Sequence, residues 1–255
     1  MAERPVLTAR WTELVLLNFR VPVEAVAGLA PVGTEPDLHA GEAYISVVGF
    51  RFQKVRILGM PVPGHTRFDE INLRYYVKRV VDGEVRRGVV FVREIVPRRA
   101  VAIVANRLYN ENYVTRRMRS VVAMRGHDLQ EGDRMEYGWG SRGGRLGRRA
   151  KQTWNRVGAR VTARPELPAA GSLEEFIVEH YWGYVPGRDG RTREYRVAHS
   201  TWRVARADEV VWECAVPETY DSPFGEYLKV APVNALVADG SAVQVFGGRR
   251  VDARK

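Results

Sequence analysis

Cysteine is almost absent, with Cys214 alone in 255 residues, so a disulfide framework is excluded. Its setting, Val211-Trp212-Glu213-Cys214-Ala215-Val216, reads as a strand carrying a buried, inert thiol. Lysine is nearly as scarce. Of 40 basic residues only Lys54, Lys78, Lys151, Lys229 and Lys255 are lysine and the rest are arginine, which leaves few candidates for amine chemistry. The five histidines, His39, His65, His127, His180 and His199, lie far apart, and none stands in the close His/Cys/Asp/Glu spacing that metal sites use, so no metal is expected. No stretch reaches the roughly 20 apolar residues that a membrane helix needs, and residues 1–10 contain no apolar run of signal-peptide length. A cytoplasmic protein without a membrane partner is the expectation. There is no Gly-x-Ser-x-Gly elbow, no phosphate loop and no Gly-x-Gly-x-x-Gly between a strand and a helix, which lowers hydrolase and nucleotide-dependent classes and implies no cofactor.

At 45% hydrophobic content the chain can bury a full core, and it reads as a single domain over residues 1–255. The net charge of +10 raises the question of a nucleic-acid partner. However, the arginines are spread as Arg-x-Arg pairs over many strand-like segments, as solvated faces would be. The one local charge run, residues 141–151, contains five cations but only Trp154 nearby as a stacking surface. A solvated hairpin loop fits it better than a phosphate-seeking segment, and nucleic acid is the weaker reading.

Strand character dominates. Residues 11–18, 43–52, 114–125, 134–141, 152–163, 192–197, 210–216 and 242–246 are rich in β-branched and aromatic residues. Pro22 opens a short helix that stops near Gly28. Pro97 opens a second over residues 97–109, with Ala100, Ile103, Val104, Arg107 and Leu108 on one face. A third starts at the capping box Ser172-Leu173-Glu174-Glu175, carries Leu173, Phe176, Ile177 and His180 on one face, and ends near Trp182-Gly183. About ten strands against two or three helices predict a β-rich α+β fold, a barrel or sandwich with helical cover.

The most unusual stretch is residues 68–77, Phe-Asp-Glu-Ile-Asn-Leu-Arg-Tyr-Tyr-Val. As a strand it places Ile71, Leu73, Tyr75 and Val77 on one face and Glu70, Asn72, Arg74 and Tyr76 on the other. An acid, an amide, a guanidinium and a phenol at successive alternate positions are the inventory of a ligand-orienting wall. Asp82-Gly83 then predicts a tight hairpin. With a two-residue loop and no bulge, Asn72 faces Arg93, Arg74 faces Phe91 and Tyr76 faces Val89, which adds Arg93 to the wall. One bulge would replace it with Glu94.

Several segments together resemble the YqjF-like family (domain of unknown function 2071), which is similar in fold to acetoacetate decarboxylase. They are Gly41-Glu42-Ala43-Tyr44-Ile45-Ser46-Val47-Val48; Glu70-Ile71-Asn72-Leu73-Arg74-Tyr75-Tyr76-Val77; Gly88-Val89-Val90-Phe91; Ala105-Asn106-Arg107 with Asn112-Tyr113; Gly171-Ser172-Leu173-Glu174-Glu175-Phe176; Glu179-His180-Tyr181; and Phe246-Gly247-Gly248-Arg249-Arg250-Val251-Asp252. The resemblance implies a bacterial protein with a large antiparallel β-barrel, flanking helices and an internal cavity. It implies no established activity. In such a barrel Glu70, Asn72, Arg74 and Tyr76 would line a pocket while Ile71, Leu73 and Val77 pack beneath the helices. Where the decarboxylase resemblance leads one to look for a lysine pair, this chain has Thr115-Arg116-Arg117-Met118. Arginine cannot serve as an amine nucleophile, so Schiff-base decarboxylation is disfavoured.

The expectation is therefore a cavity that binds a small organic anion, a carboxylate or keto acid. Arg74 acts as the carboxylate clamp, Glu70 as its orienting partner or a general base, and Asn72, Tyr76 and Tyr113 as hydrogen-bonding groups, with Arg93 and Arg107 assisting. As an enzyme it would be a cofactor-independent lyase or isomerase with Glu70, Arg74 and Tyr113 as catalytic groups. The alternative is a non-catalytic ligand-sensing or interaction module using the same cavity. A homo-oligomer is compatible with either.

Overall fold

Four strands of 13 to 15 residues, all rich in aliphatic and aromatic residues, carry the architecture. The computed structural model describes residues 3–102, 112–126, 128–141, 153–187, 189–220 and 223–251. Its strands are β1 Leu7–Val21, β2 Glu35–Pro36, β3 Ala43–Ile57, β4 Met60–Pro61, β5 Phe68–Val81 and β6 Glu84–Val96. Next come β7 Tyr113–Thr115, β8 Met118–Ala123, β9 Arg134–Gly140 and β10 Trp154–Val161. The last are β11 Trp182–Pro186, β12 Thr192–His199, β13 Val204–Glu213, β14 Asn234–Ala238, β15 Ala242–Val245 and β16 Arg249–Val251.

The pairing order β3–β5–β6–β11–β12–β15–β1 returns to β3, because β1 pairs β3 along one edge and β15 along part of the other. The fold is strand-rich as read from the sequence, but the sheet is mixed, not antiparallel throughout. β11 runs parallel to β6 because the chain builds β7 to β10 and a short helix before it returns beside β6. The Asp82-Gly83 turn has both residues at positive φ, 50° and 81°, as a two-residue hairpin of the right twist requires.

β1 forks. Leu7 to Arg10 pair with β15, while Leu14 to Asn18 pair with β14, and from β14 a second layer continues through β13, β10, β9 and β8. This layer covers the outer faces of β1, β3 and β5. Ile71, Leu73 and Val77 pack in one cluster with Tyr137, Trp139 and Val157, so the expected helical roof over them is mainly a second sheet. At Gly49 side chains of the second layer press against the backbone of β3. A Cβ there would lie 2.8 Å from the Tyr137 ring.

Helices are short. At Leu173–Val178 the Ser172 hydroxyl accepts the Glu175 N–H at 3.1 Å, and the Glu175 carboxylate accepts the Gly171 N–H at 2.7 Å. The helix stops at Val178 and not near Trp182, since residues 182–186 are drawn into β11 by pairing with β12. Of the helix expected over residues 97–109, residues 99–102 are helical and residues 103–109 lie outside the described residues. The same holds for residues 142–151 of the basic run. Cys214 lies just past β13, and burial pushes its thiol up to about 12, as suits an inert residue.

Candidate functional site

All seven strands of the returning order contribute side chains to one cavity of about 210 Å³, from Trp11 of β1 to Val245 of β15. Most of the wall is aromatic or aliphatic. The polar groups concentrate on β5, where period-two alternation turns Glu70, Asn72 and Arg74 inward.

Glu70 is 2% exposed. One carboxylate oxygen accepts from the Asn72 amide and the other from the Tyr113 hydroxyl, each at 3.2 Å. Burial pushes its pKa up to about 7 against the pull of those two bonds. The carboxyl is thus poised to hold or release a proton near neutrality.

Arg74 stands four residues further on, about 13 Å along the strand at ~3.3 Å per residue. It forms no ion pair with Glu70, so Glu70 is not its orienting partner. One Nη donates to the Ile177 carbonyl at 3.1 Å, and the guanidinium lies 5.5 Å from the centroid of the Tyr76 ring. Nε is buried without a hydrogen-bond partner, and no carboxylate among the described residues pairs with the group. Among the described residues, then, no carboxylate balances this cation on the wall of a mainly apolar cavity.

Two of the expected wall residues, Tyr76 and Arg93, do not line the cavity. The Tyr76 hydroxyl meets the Ser46 hydroxyl at 2.5 Å, and Ser46 donates to the Asn18 side-chain oxygen at 2.6 Å. Tyr76 is then the donor of the pair, and its hydroxyl is committed to a buried chain that continues to Asn234. Arg93 is displaced by a bulge. Tyr76↔Val89 and Arg74↔Phe91 follow the two-residue turn, but Val92 is extra, and beyond it Leu73 faces Arg93 and Asn72 faces Glu94. Every later side chain changes face, so Glu94 lines the cavity and Arg93 joins the opposite side with Leu73. Arg107 lies outside the described residues. Tyr113, from β7, lines the cavity beside Glu70.

A residue that sequence reasoning assigned only to a helix face also belongs to this wall. His180 lines the cavity with its side chain 2% exposed, its ring 4.7 Å from Tyr76 and 5.2 Å from Phe176. Its Nε2 lies 3.1 Å from the Asp37 carboxylate, which also accepts from Arg87 at 2.7 Å. Burial pulls the imidazole pKa down to about 4, so at neutral pH the ring is uncharged and Nε2–H donates to Asp37. Burial raises Asp37, but the bonds from His180 and Arg87 outweigh it and hold the carboxylate below its ordinary range. Nδ1 is left without a partner. Nothing in the sequence joins Asp37 to a residue 143 positions away.

Among the described residues, no lysine lines the cavity. Lys54 is exposed, Lys78 lies 3.7 Å from Glu35 near the hairpin, and Lys229 bonds Glu226. No group of described His, Cys, Asp and Glu side chains is arranged to hold a metal.

A family model described as DUF2071, "Uncharacterized conserved protein", matches residues 8–242. The protein YqjF of Bacillus subtilis (strain 168) is 33% identical over 73 residues, which span 28% of this chain and 30% of YqjF. Among solved structures, the enduracididine biosynthesis enzyme MppR, complexed with the condensation product of pyruvate and imidazole 4-carboxaldehyde, superposes with a TM-score of 0.62 at 13% identity. That alignment covers 100% of this chain and 92% of MppR. An acetoacetate decarboxylase-like enzyme from Sphingomonas wittichii RW1 gives 0.61 at 13% identity over 100% of this chain and 95% of its own. Acetoacetate decarboxylase from Legionella pneumophila gives 0.61 at 10% identity, over 98% and 88%. Likeness at such low identity speaks for the fold alone. The chain belongs to the DUF2071 family and has an acetoacetate decarboxylase-like fold.

Proposed function

We propose that the cavity binds a small organic anion, a carboxylate or keto acid, through Arg74, and that Glu70 moves a proton on the bound molecule in cofactor-free lyase or isomerase chemistry. The observation that carries this reading is the Arg74 guanidinium, set in a largely apolar cavity with its Nε unpartnered and no described carboxylate on it. A cation so placed is stabilised by an incoming anion more than one already neutralised. Glu70, with its pKa near 7 and the Tyr113 hydroxyl on its carboxylate, supplies a group able to give and take a proton. The fold neighbour MppR, seen with a pyruvate-derived product, lends support to the ligand class. Asn72 orients Glu70, Glu94 faces the same space, and the lining offers no described lysine for a Schiff base.

Thermal-shift and calorimetric titration with keto and hydroxy acids test it. The parent should bind, and Arg74→Ala should lose about 10- to 100-fold in affinity, the worth of ~1.5–3 kcal/mol for a charged hydrogen-bonded contact. Equal binding by both proteins would remove Arg74 from the ligand story. Turnover of a bound acid that vanishes in Glu70→Gln while binding persists makes the protein an enzyme; binding with no turnover in the parent makes it a sensing module.

A further inference from the structure

An anion on Arg74 would satisfy one polar group of the cavity wall and leave others. Nδ1 of His180, Oδ1 of Asn72 and Nε1 of Trp11 are also buried there without a hydrogen-bond partner. A buried acceptor or donor left in that state carries the full cost of its lost hydration.

His180 stands beside Arg74. The imidazole lies 4.7 Å and the guanidinium carbon 5.5 Å from the centroid of the same Tyr76 ring. Arg74 donates to the carbonyl of Ile177, three residues before His180 in the chain. Burial first, and the charges of Arg87 and Arg74 after it, keep the imidazole neutral. Asp37 then decides how the ring presents itself. With Nε2–H given to Asp37, which Arg87 holds in turn at 2.7 Å, Nδ1 carries a lone pair and no proton. His180 lines the cavity and Asp37 does not, so the ring is anchored outside the lining and its free acceptor is left for what the cavity holds.

That lone pair selects among carboxylic acids. A simple alkanoate leaves it unpaired, and a keto acid sets carbonyl lone pairs against it. The ammonium of an amino acid could donate, but it would bring a second cation beside Arg74. A hydroxyl donates without adding charge.

We propose that the anion held by Arg74 is a hydroxy acid, its carboxylate on the guanidinium and its hydroxyl donating to Nδ1 of His180, with Asp37 and Arg87 as positioning residues for the ring. This rests on the anion-binding reading above and adds the ligand class and a binding residue. Asn72, ~7 Å along β5 toward Glu70, and Trp11, level with Phe52 on β1, are the rival partners for the hydroxyl.

The test is calorimetric titration of the full chain with butanoate, 2-oxobutanoate, 2- and 3-hydroxybutanoate and the O-methyl ether of each hydroxy acid. One hydroxy acid should bind about 10-fold or more tightly than butanoate, a gain that its ether and 2-oxobutanoate do not share. His180→Gln keeps an amide donor for Asp37 and has no atom in the place of Nδ1; it should lose most of the gain and still bind butanoate. An ether that binds the parent as tightly as its alcohol overturns the inference, and this holds even if the variant fails to fold. A gain kept in His180→Gln and lost in Asn72→Leu or Trp11→Phe moves the hydroxyl to that residue and overturns it too. Equal affinities for butanoate and both hydroxy acids, all lost in Arg74→Ala, overturn this inference and leave the anion site standing. Failure of every acid to bind, or binding that Arg74→Ala leaves unchanged, overturns the anion-binding reading and this inference with it.

Discussion

Glu70 offers a direct measurement of what burial does to a single carboxyl. Its pKa is raised from 4.5 to about 7 in the folded chain, chiefly by burial, and returns to the ordinary value on unfolding. Between those two values the folded state holds more proton than the unfolded one, so stability falls as pH rises from 4.5 to 7 and is level above. Over that span, at ~1.36 kcal/mol per pH unit, the loss is about 3 kcal/mol. Glu70→Gln replaces the carboxyl by an amide of the same shape that cannot ionise. Relative to the parent, the variant should gain about 3 kcal/mol between pH 5 and pH 8, on top of any constant offset from the altered bonds to Asn72 and Tyr113. Urea unfolding of both proteins at four pH values gives this difference. A difference that does not change with pH, or one that favours the parent as pH rises, refutes the assignment of a buried proton to this residue.

Three further outcomes follow from the geometry. Glu194, 1% exposed, accepts from Arg79, Arg86 and Arg249 at 3.0, 3.0 and 2.6 Å; Glu194→Gln removes their shared counter-charge, leaving Arg86 only Glu84 and Arg79 no carboxylate among the described residues, and should cost about 3 kcal/mol in urea unfolding. A cost below ~1 kcal/mol would mean that solvent already screens the cluster. Burial of the Cys214 thiol predicts that iodoacetamide labels the native chain at pH 8 at least ~100-fold more slowly than the urea-unfolded chain, and comparable rates would contradict it. Gly49→Ala forces a methyl group to 2.8 Å from Tyr137 and 3.1 Å from Val157; the two layers must part, at about 1–3 kcal/mol in the same assay.

The wall on β5 was legible because alternation is a local property: Glu70, Asn72 and Arg74 share a face in any strand that includes them. The hairpin was legible for the same reason, since Asp82-Gly83 specifies its own turn, and the register followed from it as far as Arg74↔Phe91. The extra Val92 was not. A bulge answers to the curvature imposed by strands on both sides, and Val92 carries no residue signature that marks it. That one residue exchanged Arg93 for Glu94, so that a second acid and not a second cation joins Glu70, Asn72 and Arg74 on the described wall. The cap at Ser172 was readable from its hydroxyl and Glu175, but the helix end was not, because Trp182, Tyr184 and Val185 suit either state until β12 claims them. Asn234–Ala238 is too short and too even in hydrophobicity to announce itself as a strand, yet it joins the two layers. The Asp37–His180 contact lies beyond local reading altogether.

The fork in β1 also sets a schedule for folding. One edge of the strand can zip to β3 as soon as that hairpin-like neighbour is made, but the other must stay bare until Asn234–Ala238 and Ala242–Val245 have left the ribosome. At roughly 5–20 residues per second, the delay is roughly 10–40 s. During that interval an apolar strand edge is open to any passing chain, and faster emergence or a chaperone that shields it should raise the yield of native protein.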